Sequence, residues 1–177
     1  MSRVVTALVL LMIVDVSILA LPTGAPEAAC KGMVPGHRGA AMFKGARSGT
    51  YTLSQPKNHF RKGEIMNVTL VTNSNAFRGF MVKALIRGGL DDNGQFLESE
   101  KVKPISICSA ATQKTSDKKF AVILHWKAPD NTTGEVRFHA TVVEVFSRVF
   151  LGLHSEVIDD DDYYESHYKH FKKDAIF

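Results

Sequence analysis

This chain lacks several features that would assign it to a common class of protein. Only two of its 177 residues are cysteine and only one is tryptophan. After residue 20, no apolar run approaches the length of a transmembrane helix, which excludes a protein with several helical membrane spans. No Cys-x-x-Cys pair is present, so the usual redox and zinc-binding motifs are missing as well.

Motifs of the main enzyme classes are also absent. The sequence contains no Gly-x-Ser-x-Gly elbow, and Gly88-Gly89 are followed by turn residues rather than by a helix that could cradle a phosphate. Seven histidines are present, but apart from His167 and His170 they are scattered, and a zinc site needs three or four convergent ligands. We therefore expect a non-enzymatic protein with no catalytic residues, metal or cofactor.

The first twenty residues have the layout of a secretory signal peptide. Arg3 precedes a nearly continuous apolar stretch that ends at the small residue Ala20. Asp15 interrupts this stretch, which is also short for a membrane span. We expect residues 1–20 to be removed and the protein to be secreted. The alternative is an N-terminal membrane anchor.

The remaining chain is long enough for one domain with a real core, and its charge is uneven. Residues 159–177 carry six acidic and three basic side chains, a net charge of −3. Because the whole chain is +4 and Arg3 and Asp15 cancel, residues 21–158 carry +7. A basic body favours anionic surfaces outside the cell, although ordinary solubility charge would look the same. We expect the acidic segment 159–177 to be a flexible tail.

The two cysteines have one possible intramolecular pairing in an exported chain. Secreted proteins fold in oxidising compartments, where thiols form disulfides. We therefore predict a bond between Cys30 and Cys108.

Alternating apolar residues predict a β protein. Four segments show period-two alternation, which is typical of strands with one buried face, at 66–70, 80–86, 120–126 and 136–142. Shorter candidates lie at 50–53, 105–108 and 145–151, and residues 21–29, rich in Pro, Gly and Ala, are expected to be extended and loose. Turn residues separate the segments, and no helical periodicity follows residue 20. This pattern predicts a two-sheet antiparallel β-sandwich.

Several residues are candidates for modification. Asn67-Val68-Thr69 and Asn131-Thr132-Thr133 are glycosylation sequons, the first on the outward phase of its strand and the second in a loop. Tyr163 and Tyr164 follow four aspartates and are candidate sulfotyrosines. Calcium binding by the clustered carboxylates and a plain solvated tail are the alternatives there.

Outward-facing basic residues are the best candidates for binding. Lys83 and Arg87 share one strand face, and Arg137 and His139 share another. If the two strands are neighbours, one sheet presents a cationic surface to polyanions such as bacterial lipopolysaccharide or teichoic acid. A merely solvated sheet face is the alternative.

A resemblance to a known family adds to this interpretation. The residues that carry it, in order, are 30–37 (CKGMVPGH), 51–53 (YTL), 77–80 (FRGF), Cys108, 126–129 (WKAP) and 134–143 (GEVRFHATVV). Together they resemble a reeler (reelin-type) domain, and in particular the small secreted insect defence proteins built from that domain alone. The resemblance implies an immunoglobulin-like sandwich, a Cys30–Cys108 bridge, and a part in innate immunity through binding microbial surfaces or blood cells.

These observations lead to one expectation and one alternative. We expect residues 21–158 to form a monomeric, glycosylated, extracellular reeler-like domain that acts in defence. An antimicrobial effect is part of this expectation, and a nucleic-acid partner is not. The alternative is an extracellular signalling or adhesion module that binds a host receptor.

Overall fold

Strands account for almost all regular structure in the computed structural model, which describes residues 23–44, 49–88 and 93–158. The strands are β1 (Ala41–Lys44), β2 (Tyr51–Gln55), β3 (His59–Phe60), β4 (Ile65–Thr72), β5 (Gly79–Ile86), β6 (Gln95–Phe96), β7 (Val102–Ile105), β8 (Ala110–Gln113), β9 (Ala121–Lys127), β10 (Gly134–Val145), β11 (Arg148–His154) and β12 (Glu156–Val157). Two short 3-10 helices, Glu27–Cys30 and Ser106–Cys108, complete the regular structure of these residues.

The strands form two sheets that pack as a sandwich. The larger sheet has the order β1-β11-β10-β5-β8-β7, with β3 also paired to β10, and the smaller has the order β12-β2-β4-β9-β6. The predicted sandwich is confirmed. Pairing is antiparallel except at two edges, where β1 runs parallel to β11 and β12 parallel to β2. A hairpin connection would force two strands to be antiparallel. Neither of these edge strands is joined to its partner by a hairpin, so parallel pairing is possible there.

The inward faces of the two sheets supply the core, as the alternation predicts. Val136, Phe138, Ala140 and Val142 of β10 are all fully buried. Trp126 of β9 is also fully buried, and its ring makes edge-to-face contacts with Phe138 from the opposite sheet at 5.5 Å between centroids. Its indole nitrogen donates a hydrogen bond to the carbonyl oxygen of Asn93, which satisfies the polar end of a buried indole.

Two of the shorter predicted strands have different bounds. The segment 105–108 is a strand only at Ile105, because the chain turns into the 3-10 helix Ser106–Cys108 and Ser109 then adopts a left-handed conformation with φ of 50°. The segment 145–151 is not one strand, because Phe146 and Ser147 form the tight turn of the β10–β11 hairpin. That turn contains no Gly, Pro, Asn or Asp, and a single serine is a weak turn signal.

The N-terminal segment 23–40 is ordered against the outer face of the larger sheet, so the expectation of a loose stretch is wrong for residues 23–29. Met33 packs there with Met81, Ile105 and Ala110 in a second, smaller apolar cluster that also includes both cysteines. This cluster explains why Met81 interrupts the alternation of β5, since a residue on the outer face is buried by a segment distant in sequence. Among the described residues, no helix is both long and apolar enough to cross a bilayer.

Candidate ligand-binding face of the larger sheet

The four predicted basic residues lie on one face of the larger sheet. Strands β5 and β10 are antiparallel neighbours, with His139 directly opposite Lys83 and Arg137 opposite Leu85. Since residues of one phase point to the same side of a sheet, Lys83, Arg137 and His139 share the outer face, and Arg87 continues it beyond the end of β5. We call Lys83, Arg87, Arg137 and His139 the basic face.

Lys83 is held in place by the N-terminal segment. Its ammonium nitrogen donates a hydrogen bond to the carbonyl oxygen of Cys30 at 3.3 Å. Cys30 is bonded to Cys108, with 5.9 Å between their Cα atoms, so the predicted disulfide is confirmed. The disulfide therefore fixes the carbonyl that orients Lys83, and the ammonium keeps further donors for a ligand.

Arg87 and Arg137 differ in their environment. Arg87 forms an ion pair with Glu135, with 3.0 Å between a guanidinium nitrogen and a carboxylate oxygen. The hydrogen bond from Arg87 lowers the pKa of Glu135, and the nearby charges of Arg87, His59 and Arg137 act in the same direction. Arg137 is exposed, and none of the ion pairs among the described residues involves it. Arg137 is therefore the more available of the two guanidinium groups.

The pKa of His139 lies below the ordinary value for histidine. Burial is the main cause, and the electrostatic influence of His154 and Lys83 acts in the same direction. The ring stacks on that of His154, with centroids 4.7 Å apart and planes 8° from parallel. Its Nε2 atom is buried and has no hydrogen-bond partner within the described part of the chain. His139 thus contributes a pH-dependent rather than a constant charge to the face.

A polar cavity of about 620 Å³ adjoins the basic face at Lys83. Its lining includes amide, hydroxyl and charged side chains from three stretches of the chain (93–95, 106–109 and 127–130), namely Asn93, Gln95, Ser106, Ser109, Lys127 and Asp130. The ammonium nitrogen of Lys127 lies 2.9 Å from a carboxylate oxygen of Asp130, so the cavity offers both hydrogen-bond donors and acceptors. Such a lining suits a hydroxyl-rich or phosphorylated group better than an apolar one.

Comparison with known proteins shows to which family this chain belongs. The sequence profile of the reeler domain matches residues 28–165. The chain belongs to the reeler domain family. The resemblance drawn from the sequence motifs is therefore confirmed, over a slightly longer segment than those motifs cover.

Relatives of this reeler chain include small and large proteins. "Putative defense protein 3" of Antheraea mylitta is 31% identical over 142 residues, which cover 77% of this chain and 84% of that protein. "Putative ferric-chelate reductase 1 homolog" of Drosophila melanogaster is 27% identical over 167 residues, which cover 89% of this chain but 26% of that protein. The similarity therefore extends over nearly the whole length of the former and about a quarter of the latter.

Solved reeler structures have the same fold. The crystal structure of the human F-spondin reeler domain superposes with a TM-score of 0.54 at 21% identity, covering 70% of this chain and 96% of that one. A second structure, the Reelin-N domain of F-spondin, gives a TM-score of 0.53 at 23% identity, with 70% and 94% covered. The sandwich is thus the reeler fold.

Of the predicted modification sites of this reeler protein, the two asparagines lie within the described residues and the two tyrosines lie outside them. Asn67 and Asn131 are both exposed, and the side-chain oxygen of Asn67 lies 2.8 Å from Nδ1 of His125. Both residues are at the surface, and glycosylation stays a prediction. Tyr163 and Tyr164, like the predicted signal peptide 1–20 and the predicted tail 159–177, lie outside the described residues. In the part that is described, no three His, Cys, Asp or Glu side chains are grouped as metal ligands.

Proposed function

We propose that this reeler protein is a secreted, non-enzymatic defence protein that binds anionic components of microbial surfaces, such as lipopolysaccharide or teichoic acid, through its basic face. The observation that carries the proposal is that Lys83, Arg137 and His139 lie on one sheet face, within a body of net charge +7. Relatives that this chain matches over most of their length are named as defence proteins, which supports the defence role.

The geometry favours a repeating polyanion over a small anion. The cationic groups are spread along two strands rather than gathered in a closed pocket, and Arg87 is already paired with Glu135. A polymer with regularly spaced phosphates gains affinity from several weak contacts. Once the first phosphate is bound, the others are held close to the remaining basic groups and bind at a high effective concentration. The polar cavity beside Lys83 offers hydrogen-bonding groups to the sugar part of such a polymer.

The experiment is a binding assay with immobilised lipopolysaccharide and teichoic acid at several salt concentrations. Arg137→Glu is expected to weaken binding, and binding to the unmodified protein is expected to fall as salt rises, because exposed charges are screened. Lys44→Glu is the charge-matched control, since Lys44 is exposed on the edge strand β1, which β11 separates from β10. Equal loss in both variants would indicate that net charge alone is responsible, and no retention at physiological salt would refute the proposal.

Export is tested separately. The full-length chain expressed in eukaryotic cells is expected in the medium, with an N-terminus near residue 21, and deletion of residues 1–20 is expected to retain it in the cell. A protein that stays attached to membranes and keeps residue 1 would support the membrane anchor instead.

A further inference from the structure

A groove of about 520 Å³ runs between the N-terminal segment and the outer face of the larger sheet. Residues 24–37 form its roof, and strands β5 and β10 supply most of its floor. Its walls are mainly apolar, with Met33 above and Met81 and Val143 below. This volume lies within the range of roughly 300–1,000 Å³ that is typical of small-molecule sites.

The groove is held open by contacts at both ends of its roof. The Thr141 hydroxyl donates a hydrogen bond to the carbonyl oxygen of Met33, and the backbone nitrogen of Ala25 donates to the hydroxyl oxygen of Thr112. The disulfide fastens the roof between these two points. Since the roof is tied down in three places, the groove is preformed, and a ligand need not order the segment on binding.

Apolar side chains are exposed to solvent at the mouth of the groove. Val34, Val145 and Phe146 are respectively 48%, 40% and 42% exposed, and all three line the groove. Contiguous exposed apolar surface around a concave site commonly marks a binding site. An apolar ligand in the groove would cover these side chains.

The polar groups at one end of the groove are hydrogen-bond donors. The side-chain oxygen of Gln113 accepts from the Phe80 backbone nitrogen and from the Thr112 hydroxyl, which fixes the amide orientation. Its Nε2 atom is directed toward Gly79, where a Cβ would lie only 3.0 Å away. This nitrogen donates no hydrogen bond within the described residues, so it is available to an acceptor.

Arg78 adds a positive charge at the same end. Its guanidinium donates to the carbonyl oxygen of Ser116 at 3.1 Å, and in the described ranges it has no acidic partner. Both Arg78 and Ser116 line the groove. The site therefore combines a long apolar trough with an amide donor and a cation at one end.

We propose that this groove binds a single long acyl chain, with an anionic headgroup placed against Arg78 and Gln113. The apolar walls match the methylene chain, because binding removes the apolar surface of both from water. The Gln113 amide nitrogen and the Arg78 guanidinium at the polar end are donors, which match a headgroup that only accepts hydrogen bonds, as a carboxylate does. The site is separate from the basic face and does not depend on the function proposed for it.

The test measures binding of palmitate and of hexadecanol to the purified, disulfide-bonded protein by displacement of a fluorescent fatty acid. Val143→Trp is expected to abolish binding of both ligands, because Val143 lies on the groove floor opposite Gly79. Leu85→Trp is the matched control, since Leu85 is exposed on the same sheet face and does not line the groove. Circular dichroism establishes that both variants keep the sandwich.

Arg78→Gln tests the headgroup without filling the groove. We expect it to weaken palmitate binding by roughly 10- to 150-fold, because a hydrogen bond between charged groups is lost, and to leave hexadecanol binding unchanged. Absence of saturable palmitate binding to the unmodified protein, or unchanged binding in Val143→Trp, would overturn the proposal. Equal palmitate binding by Arg78→Gln would overturn the headgroup position. Arg137→Glu is expected to leave palmitate binding intact, so this site and the basic face can fail independently.

Discussion

The imidazole rings of His139 and His154 lie in parallel contact across β10 and β11, with 4.7 Å between their centroids. Lys83 faces His139 from the other side, on β5. Protonation of His139 would therefore place a charge in a half-buried position beside two other basic groups. This arrangement explains why the pKa of His139 is lower than that of a free histidine.

The first prediction is that acid weakens the fold partly through His139. Because the pKa of His139 is lowered in the folded state, the unfolded chain binds a proton more readily. The contribution of His139 to the free energy of unfolding is therefore fully present above the unfolded pKa of about 6.5, and it is lost as the pH falls below that value. His139→Gln is expected to reduce the loss of urea stability between pH 7.5 and pH 5. His59→Gln, a substitution at an exposed histidine, serves as the control. An unchanged pH dependence in the His139 variant would contradict the assignment.

The second prediction concerns the disulfide. Its cysteines are 78 positions apart, and in the chain-entropy model such a loop contributes about 4.5 kcal/mol to stability. The double variant Cys30→Ser, Cys108→Ser is expected to lose about this free energy in denaturant unfolding, without the complication of a single free thiol.

The same variant is also expected to release the N-terminal roof of the groove. Lys31 and Arg38 would then be cut by trypsin sooner than in the unmodified protein, while the two sheets stay folded. Identical cleavage rates with and without the bond would show that the hydrogen bonds of Met33 and Ala25 suffice to hold the segment.

The third prediction is that Gly94 does not tolerate a side chain. Its φ is +68°, and an added Cβ would collide with the carbonyl oxygen of Lys127 and lie 2.8 Å from the Trp126 ring. Gly94→Ala is expected to destabilise the fold by about 1–3 kcal/mol, because backbone strain and the clash act together. Gly36→Ala is the matched control, since nothing lies within 4 Å of its added Cβ. Thermal unfolding of the two variants provides the measurement.

The fourth prediction concerns the glycans. Each of Asn67→Gln and Asn131→Gln is expected to remove one N-glycosidase-sensitive mass increment from the protein recovered from the medium. Thr133→Ser preserves the second sequon and is expected to leave the mass pattern unchanged. Insensitivity of the unmodified protein to N-glycosidase would refute both sites.

The sequence predicts the inner faces of this sandwich well because a single rule governs them. Period-two alternation identified the segments that became β4, β5, β9 and β10, since burial on one face repeats along the same strand. The rule failed at Met81, whose outer-face burial depends on Met33, a residue 48 positions away in the chain. No local pattern encodes such a contact.

The candidate site was predictable in composition but not in its pairings. That Lys83 and His139 share a face followed from their phase on two strands, provided the strands are neighbours. Their register is set by long-range pairing, and only the register shows that Arg87 meets Glu135 and that Lys83 reaches the carbonyl of Cys30. The groove was missed entirely, because its roof comes from a segment with no periodicity.

Cys30 stands at the junction of both surfaces described above. Its sulfur anchors the roof of the acyl groove, and its carbonyl oxygen orients the ammonium of Lys83 on the basic face. Loss of this single bond would therefore disturb both proposed binding surfaces together.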